Sequence, residues 1–214
     1  MKTVLGRGSA EQTIEKSRFI AYVAPAESRE EAEDFIAEIR AKHRDATHNE
    51  PAMVIGDRMQ IQWGSDDGEP GGTSGTPMAQ LLAKEGITNV VVVVTRYFGG
   101  IKLGPGGLVR AYTSSCKIGL EAAGVCEIRE MAVLTCEIDY SYLAKLQSMA
   151  VTAAEAAEKP GSFAIGEISY TDKVRLEIVC EKDSSEAVKG MLLNLTGGTA
   201  AIVSEESAQH KIPL

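Results

Sequence analysis

The sequence predicts an α+β protein made of two small domains, residues 1–127 and 128–214. A chain of 214 residues has enough apolar material for a core in each domain. Five consecutive valines, Val90 to Val94, are typical of a central strand covered on both faces. The segment after residue 128 follows the order β-α-β-β-α-β, which is the ferredoxin-like unit.

In the first domain, strands and helices are predicted from apolar periodicity. Residues 13–23 predict a first strand, and the spacing of Ser28 and Glu31 predicts a capping box that opens the first helix. A hairpin is predicted over residues 52–63, because apolar and polar residues alternate in its second strand. A second helix is expected over residues 76–85.

A third helix of the first domain is expected after Pro105, which lacks the N–H that a first helical turn leaves unused. In the second domain, the periodicity predicts four strands and two helices. In chain order they are a strand at 133–139, a helix from Ser141, strands at 163–170 and 173–180, a helix capped by Asp183 and Glu186, and a strand at 200–203.

The charge of the chain limits its nucleic-acid partners. The net charge is −8, and both halves are acidic, with 14 basic and 17 acidic residues in 1–127 and 8 and 13 in 128–214. Non-specific nucleic-acid binding needs a basic footprint. We therefore expect no DNA partner, and any RNA contact has to use a small local patch.

The composition also bears on location and cofactors. The longest apolar run is far too short to span a bilayer, and residues 1–18 hold no secretory signal, so we expect a cytoplasmic protein without a membrane partner. No pair among the four cysteines has the C-x-x-C spacing of a zinc site, so we expect buried thiols, no metal and no cofactor.

Glycines concentrate where chemistry is expected. Of 21 glycines, 11 fall between Gly64 and Gly107, and ten of these lie in two loops, one over 64–75 and another over 96–107. Such loops permit positive φ and a close approach of the backbone to a ligand. The second loop leads into the third helix, whose N–H groups favour an anion. The candidate anion-binding residues are Arg96, Tyr97, Gly99, Gly100, Lys102, Gly104, Gly106, Gly107 and Arg110.

The acidic residues of the first loop admit two interpretations. Asp66, Asp67 and Glu69 can pair with Arg96 and Arg110 to fix two loops, or can hold a divalent metal. Acidic turn residues without a metal are the favoured interpretation, because Asp-Gly and Glu-Pro pairs are ordinary turn chemistry.

The candidate catalytic residues include one histidine. Three roles are open for His48: a general base, a ligand-binding residue, or a loop histidine whose hydrogen bonds are structural. The candidates for catalysis are Asp66, Asp67, Glu69 and His48. A serine-hydrolase elbow and a P-loop are both missing from the sequence. Four aromatic residues near the loops either stack on bases or pack in the core, namely Trp63, Tyr97, Phe98 and Tyr112.

These segments together resemble the signature of the YigZ/IMPACT family over residues 10–127. The matching segments are Lys16-Ser17-Arg18-Phe19-Ile20, Asp66-Asp67-Gly68-Glu69-Pro70, Gly72-Thr73, Gly75, 94–104 and 106–112. Two places depart from the family pattern. Asn49, Glu50 and Pro51 stand where a cysteine and an aromatic residue often follow the histidine, and Thr76 stands where lysine is common.

The resemblance implies a fold and a set of partners. It implies a first domain like the second domain of ribosomal protein S-five, with a left-handed β-α-β crossover, and a ferredoxin-like second domain similar to one in elongation factor G. Relatives of both folds contact RNA or ribosomes. Eukaryotic members regulate translation in the stress of amino-acid starvation by competing for the activator of a kinase, using an additional domain outside this resemblance.

Three functions follow as hypotheses. The first is a translation-related regulatory or RNA- and phosphate-binding module whose partner is RNA or a ribosome or translation component. The alternative is a hydrolase or phosphoryl or nucleotide enzyme that uses Asp66, Asp67 and Glu69 opposite Arg96 and Arg110. The third is a protein-docking role for the ferredoxin-like domain.

Overall fold

A computed structural model describes residues 1–66, 68–155 and 162–214 of the chain. In these ranges the strands are β1 (Lys2–Val4), β2 (Gly8–Ile14), β3 (Ser17–Pro25), β4 (His48–Ile55), β5 (Ile61–Gly64), β6 (Val90–Tyr97), β7 (Val125–Ile138), β8 (Phe163–Tyr170), β9 (Val174–Glu181) and β10 (Ala201–Pro213). The helices are α1 (Arg29–Lys42), α2 (Gly75–Glu85), α3 (Gly104–Ala123), α4 (Tyr140–Glu155) and α5 (Ser185–Leu195). The predicted α+β class is confirmed.

The fold divides into two compact units. Residues 1–128 and 211–214 form the first unit, and residues 129–210 form the second. The last residues join the first unit because the N–H of Leu214 donates to the carbonyl oxygen of Val125 at 3.0 Å. None of the helices in the described ranges combines the length and the hydropathy that a membrane crossing needs.

The first unit has a sheet of five antiparallel strands in the order β2-β3-β6-β4-β5, with helices on both faces. Strand β6 is central, and its valines alternate between two cores. Val90, Val92 and Val94 pack with residues of α2 and α3, and Val91 and Val93 pack with residues of α1. The predicted central strand is therefore confirmed.

The helix ends of the first unit follow local chemistry. The Oγ of Ser28 accepts the N–H of Glu31 at 3.2 Å, which caps α1 as predicted. Gly86 caps the C-terminal end of α2, and Gly124 caps that of α3; both glycines have a φ of 73°. This left-handed region favours glycine, so each helix ends where the sequence allows the turn.

The single strand predicted over residues 13–23 is wrong. The chain instead forms β2 and β3, joined by a tight turn at Glu15 and Lys16. Both turn residues have positive φ, 45° and 63°. The turn was missed because neither residue is the glycine or asparagine that normally marks such a hairpin.

The second unit is ferredoxin-like, as predicted. Strand β7 pairs with β10 on one side and β9 on the other, and β9 pairs with β8, so the order is β10-β7-β9-β8. Helices α4 and α5 share one core with the sheet, in which Leu134, Leu146, Ile178 and Leu192 are buried.

Candidate functional site

The candidate site is built around the end of β6. Arg96 follows Val92 and Val94 on the face of the sheet that α2 and α3 cover. In the strand pairing, Arg96 lies opposite His48 of β4 on one side and opposite Phe19 of β3 on the other. Residues directly opposite in paired strands have side chains on the same face, so these three side chains lie side by side.

Arg96 makes a buried ion pair with the loop over residues 64–75, which is called the acidic loop below. Its Nη1 donates to Oε1 of Glu69 at 2.5 Å, and the two side chains are 6% and 4% exposed. The guanidinium lies between two rings, 5.3 Å from the centroid of Phe19 and 5.5 Å from that of Phe98. Its Nη2 donates to Oγ of Ser17 at 3.4 Å. Arg96 is therefore an internal cation with protein partners.

Glu69 also joins the loop to α3. Its Oε1 accepts the hydroxyl of Tyr112 at 2.8 Å, and Nε2 of His48 lies 3.8 Å from the same oxygen. Tyr112 is buried, and its ring meets that of Phe19 edge-on at 5.4 Å between centroids. Burial and the negative charge of Glu69 raise the pKa of Tyr112, so its hydroxyl remains a donor at neutral pH.

Glu50 is a member of this cluster that the sequence analysis missed. It lies two residues after His48 in β4, on the same face, and its side chain is 0% exposed. Its Oε1 is 3.8 Å from Nδ1 of His48. A histidine and a glutamate two residues apart, just before the hairpin predicted over residues 52–63, were the available signal, because β4 begins at His48 and strand side chains alternate between faces.

Asp66 organises the acidic loop from within. Its Oδ1 accepts the N–H and the hydroxyl of Ser74, both at 2.7 Å, and its Oδ2 accepts the N–H of Gly72 at 2.8 Å and the hydroxyl of Thr76 at 3.1 Å. Burial acts to raise the pKa of Asp66, but these hydrogen bonds outweigh it and lower the pKa to about 2. Asp67 lies outside the described residues.

Metal coordination was the other interpretation of the acidic loop. Within the ranges that the structure describes, no three His, Cys, Asp or Glu side chains are grouped so that they can hold a metal ion.

Several glycines of the two loops are required by close packing. A Cβ built on Gly75 would lie 2.2 Å from the carbonyl oxygen of Ser65, and one on Gly64 would lie 2.2 Å from that of Gly75. The acidic loop thus closes tightly on itself. A Cβ on Gly99 would lie 1.9 Å from the carbonyl oxygen of Lys16, so Gly99 packs against the β2–β3 turn.

The start of α3 is the exposed part of the predicted anion site. Lys102 and Arg110 are exposed, and neither makes an ion pair with a described residue. No side chain caps the first turn of α3, and no acidic residue lies in that turn. The other predicted residues of this stretch, all exposed or half-buried, are Gly100, Gly104, Gly106 and Gly107.

Tyr97 lies on the opposite face of β6 from Arg96. Its hydroxyl is 2.9 Å from Nδ1 of His43 and donates to Oδ1 of Asp45 at 3.2 Å. Nε2 of the same histidine lies 2.7 Å from the hydroxyl of Tyr22. The structure therefore brings Arg96, Glu69 and His48 together and separates Tyr97 from them.

Comparison with known proteins now identifies the family. A family model for the Impact N-terminal domain matches residues 15–120. The IMPACT family member YvyE of Bacillus subtilis is 41% identical over 204 residues, which cover 95% of this chain and 90% of that protein. The chain belongs to the IMPACT family. The resemblance seen in the sequence is confirmed.

Other IMPACT comparisons extend the match. The IMPACT family member YigZ of Escherichia coli is 38% identical over 141 residues, 64% of this chain and 69% of that protein. A crystal structure described as a hypothetical protein is 29% identical, covers 96% of this chain and 97% of its own, and has a TM-score of 0.57. The Impact N-terminal match contains the whole cluster around Arg96 and the start of α3.

Proposed function

We propose that this IMPACT family protein is a cytoplasmic binding module that recognises a phosphate-bearing partner, RNA or a translation component, at the start of α3. The observation that carries the proposal is a pair of exposed cations, Lys102 and Arg110, without a described acidic partner in a chain of net charge −8. They flank an uncapped helix start, whose N–H groups and dipole favour a phosphate.

An exposed aromatic ring favours RNA over a simple anion. Phe98 is 47% exposed and precedes Lys102 by four residues. The guanidinium of Arg96 packs over its ring, 5.5 Å from the ring centroid. A base can stack on such a ring while neighbouring cations contact the backbone phosphates. In this function the buried Arg96 supports the platform instead of binding the phosphate itself.

The enzyme hypothesis has weaker support. Asp66 is committed to hydrogen bonds within its own loop, and Glu69 and Arg96 are committed to each other. A phosphoryl-transfer site needs groups that are free to contact the substrate. The binding function uses exposed residues and needs no rearrangement of these contacts.

The test is the affinity of the full chain for a structured RNA hairpin across a salt series. Lys102→Ala and Arg110→Ala are each expected to weaken binding and to reduce the salt slope by about 1, because each removes one phosphate contact. Phe98→Ala is expected to weaken binding without changing the slope. Lys117→Ala, an exposed lysine later in α3, is the matched control and should behave as wild type. Absence of binding at low salt, or an equal effect of the control, would refute the proposal.

A further inference from the structure

A small cleft opens on the sheet of the second unit, on the face opposite α4 and α5. Leu134 and Leu176 belong to the core that the sheet shares with these helices. Their strand neighbours Thr135, Arg175 and Glu177 therefore lie on the other face. The volume of the cleft is about 200 Å³, roughly that of six or seven water molecules at about 30 Å³ each. The cleft thus has room for a small organic molecule.

Three strands bring polar side chains to this cleft. Thr135 of β7 lies opposite Glu177 of β9, and Arg175 of β9 lies opposite Ser169 of β8. Side chains directly opposite in paired strands share a face, so these four lie together. The polar residues that line the cleft are Thr135, Glu167, Ser169, Arg175 and Glu177. The lining thus combines one cation, two carboxylates and two hydroxyls.

A bulge in β8 shapes one side of the cleft. The register of β8 against β9 shifts between Ile165 and Ile168. A Cβ built on Gly166 would lie 3.0 Å from Oε2 of Glu177 and 3.1 Å from its Cβ, so the bulge packs against the Glu177 side chain. The same bulge carries Glu167, which adds the second carboxylate to the lining. Bulges often redirect side chains in this way next to binding sites.

The charged groups of the cleft do not pair with one another. Arg175 lies directly opposite Glu137 and two residues before Glu177, yet in the described ranges it makes no ion pair with either glutamate or with Glu167. In the same ranges the hydroxyl of Thr135 and both lining carboxylates make no hydrogen bond to the protein. A cation and two carboxylates in one small cleft therefore keep their bonding capacity for a ligand.

We propose that this cleft binds a free amino acid with a cationic side chain. The guanidinium of Arg175 offers a planar fork to the α-carboxylate, which is the geometry of strong bidentate pairs. Glu177 accepts the α-ammonium group, and Glu167 accepts the side-chain cation. The charged lining residues carry one positive and two negative charges, and a basic amino acid carries the reverse, so the two are complementary.

This chemistry separates a basic amino acid from simpler ligands. A neutral amino acid leaves Glu167 without a cation, and a diamine leaves Arg175 without a carboxylate. The site lies within the second unit and uses none of the residues of the proposed RNA surface. The two proposals can therefore fail independently.

The test is isothermal titration calorimetry of the full chain with L-lysine at low ionic strength. Saturable binding to one site is expected. Cadaverine lacks the carboxylate and Nα-acetyl-lysine lacks the α-ammonium group, so each should bind about tenfold more weakly, the loss of one charge-assisted hydrogen bond. These comparisons use the wild-type chain and do not depend on the folding of a variant. Absence of saturable binding, or equal affinities for L-lysine and cadaverine, would overturn the proposal.

Two variants assign the contacts to residues. Arg175→Gln should weaken L-lysine binding about tenfold and leave cadaverine binding unchanged, and Glu177→Gln should weaken L-lysine but not Nα-acetyl-lysine. Glu186→Gln, the same change at a side chain of α5 that is 87% exposed, is the matched control and should bind L-lysine as the wild type does. Equal weakening of L-lysine and cadaverine by Arg175→Gln would overturn the assignment of the carboxylate to Arg175. The RNA affinity of Arg175→Gln should equal that of the wild type.

Discussion

Arg96 and Glu69 form an ion pair that is almost completely withdrawn from water, with side chains 6% and 4% exposed. The pair joins the central strand to the acidic loop. The hydroxyl of Tyr112, a residue of α3, donates to the same carboxylate oxygen of Glu69. Three segments distant in sequence thus meet at one atom. A buried charge that loses its partner is strongly destabilising, so this contact holds the loop in place.

Replacing Glu69 with glutamine should therefore destabilise the first unit. The variant keeps the shape of the side chain but removes the negative charge that the guanidinium of Arg96 contacts. We expect the free energy of unfolding of Glu69→Gln to fall by about 3–5 kcal/mol. Urea denaturation followed by circular dichroism measures the change.

An exposed pair provides the control for this prediction. Arg7 and Glu38 are 2.9 Å apart with side chains 64% and 52% exposed. Glu38→Gln should cost less than about 1 kcal/mol, because water screens the pair. Adding Arg96→Met to Glu69→Gln should recover part of the loss. A loss below about 1 kcal/mol for Glu69→Gln alone would contradict the importance of the buried pair.

The lowered pKa of Asp66 predicts that its contribution to the free energy of unfolding depends on pH in the acid range. The pKa of its carboxyl is lowered from 3.8 to about 2 in the folded chain, so its stabilisation is fully present above pH 3.8 and is lost as the pH falls through 2. Asp66→Asn should lower the free energy of unfolding at pH 7 by about 1–2 kcal/mol, allowing for partial solvation. The difference between variant and wild type should shrink as the pH falls from 4 to 2.

Asp57, an exposed aspartate in the turn after β4, is the matched control for Asp66. Asp57→Asn should reproduce the stability of the wild type at each pH, within about 0.5 kcal/mol. If Asp66→Asn and the wild type lose stability in parallel between pH 4 and pH 2, the hydrogen bonds to Asp66 do not stabilise the loop as described.

Much of the fold was predictable because its signals are local. The valine run of β6, the capping pair Ser28 and Glu31, and the stop at Gly86 each depend on neighbours within a few residues. The turn at Glu15 and Lys16 was not predictable, since tertiary pairing of β2 with β3 imposes positive φ on residues that do not favour it.

The candidate site was predictable only in part. Strand alternation in β6 could have separated Arg96 from Tyr97, because adjacent strand residues point to opposite faces. The choice of Glu69 as the partner of Arg96 depends on the path of the acidic loop. That path is set by the close approach of Gly64 to Gly75 and by hydrogen bonds of Asp66, and such contacts leave no periodic pattern.

The close approach within the acidic loop gives a third prediction. Gly75→Ala would place a Cβ 2.2 Å from the backbone oxygen of Ser65, so the loop must open or the backbone must shift. We expect a loss of about 1–3 kcal/mol, the usual cost of overpacking. Gly71→Ala in the same loop has no atom within 4 Å of the new Cβ and should change stability by less than about 0.5 kcal/mol. Equal stabilities of the two variants would contradict the closed loop.

Thiol reactivity gives a fourth prediction. All four cysteines are free and buried. Burial raises the pKa of Cys116 and Cys136 to about 12 and also raises the pKa of Cys126 and Cys180. Because the thiolate is the reactive form, alkylation of the folded chain at pH 8 should be slow at all four sites and fast in denaturant. Peptide mass spectrometry after timed iodoacetamide labelling gives the rate at each site.

The labelling rates also test the link between the buried ion pair and α3. Cys116 lies four residues after Tyr112, on the same buried face of α3. Loss of the Glu69 charge should loosen that face, so Cys116 should label faster in Glu69→Gln than in the wild type. Cys136 and Cys180 belong to the second unit and should keep their rates. Equal acceleration at all three sites would mean that the variant unfolds globally, and no acceleration at Cys116 would mean that Glu69 does not hold α3 against the sheet.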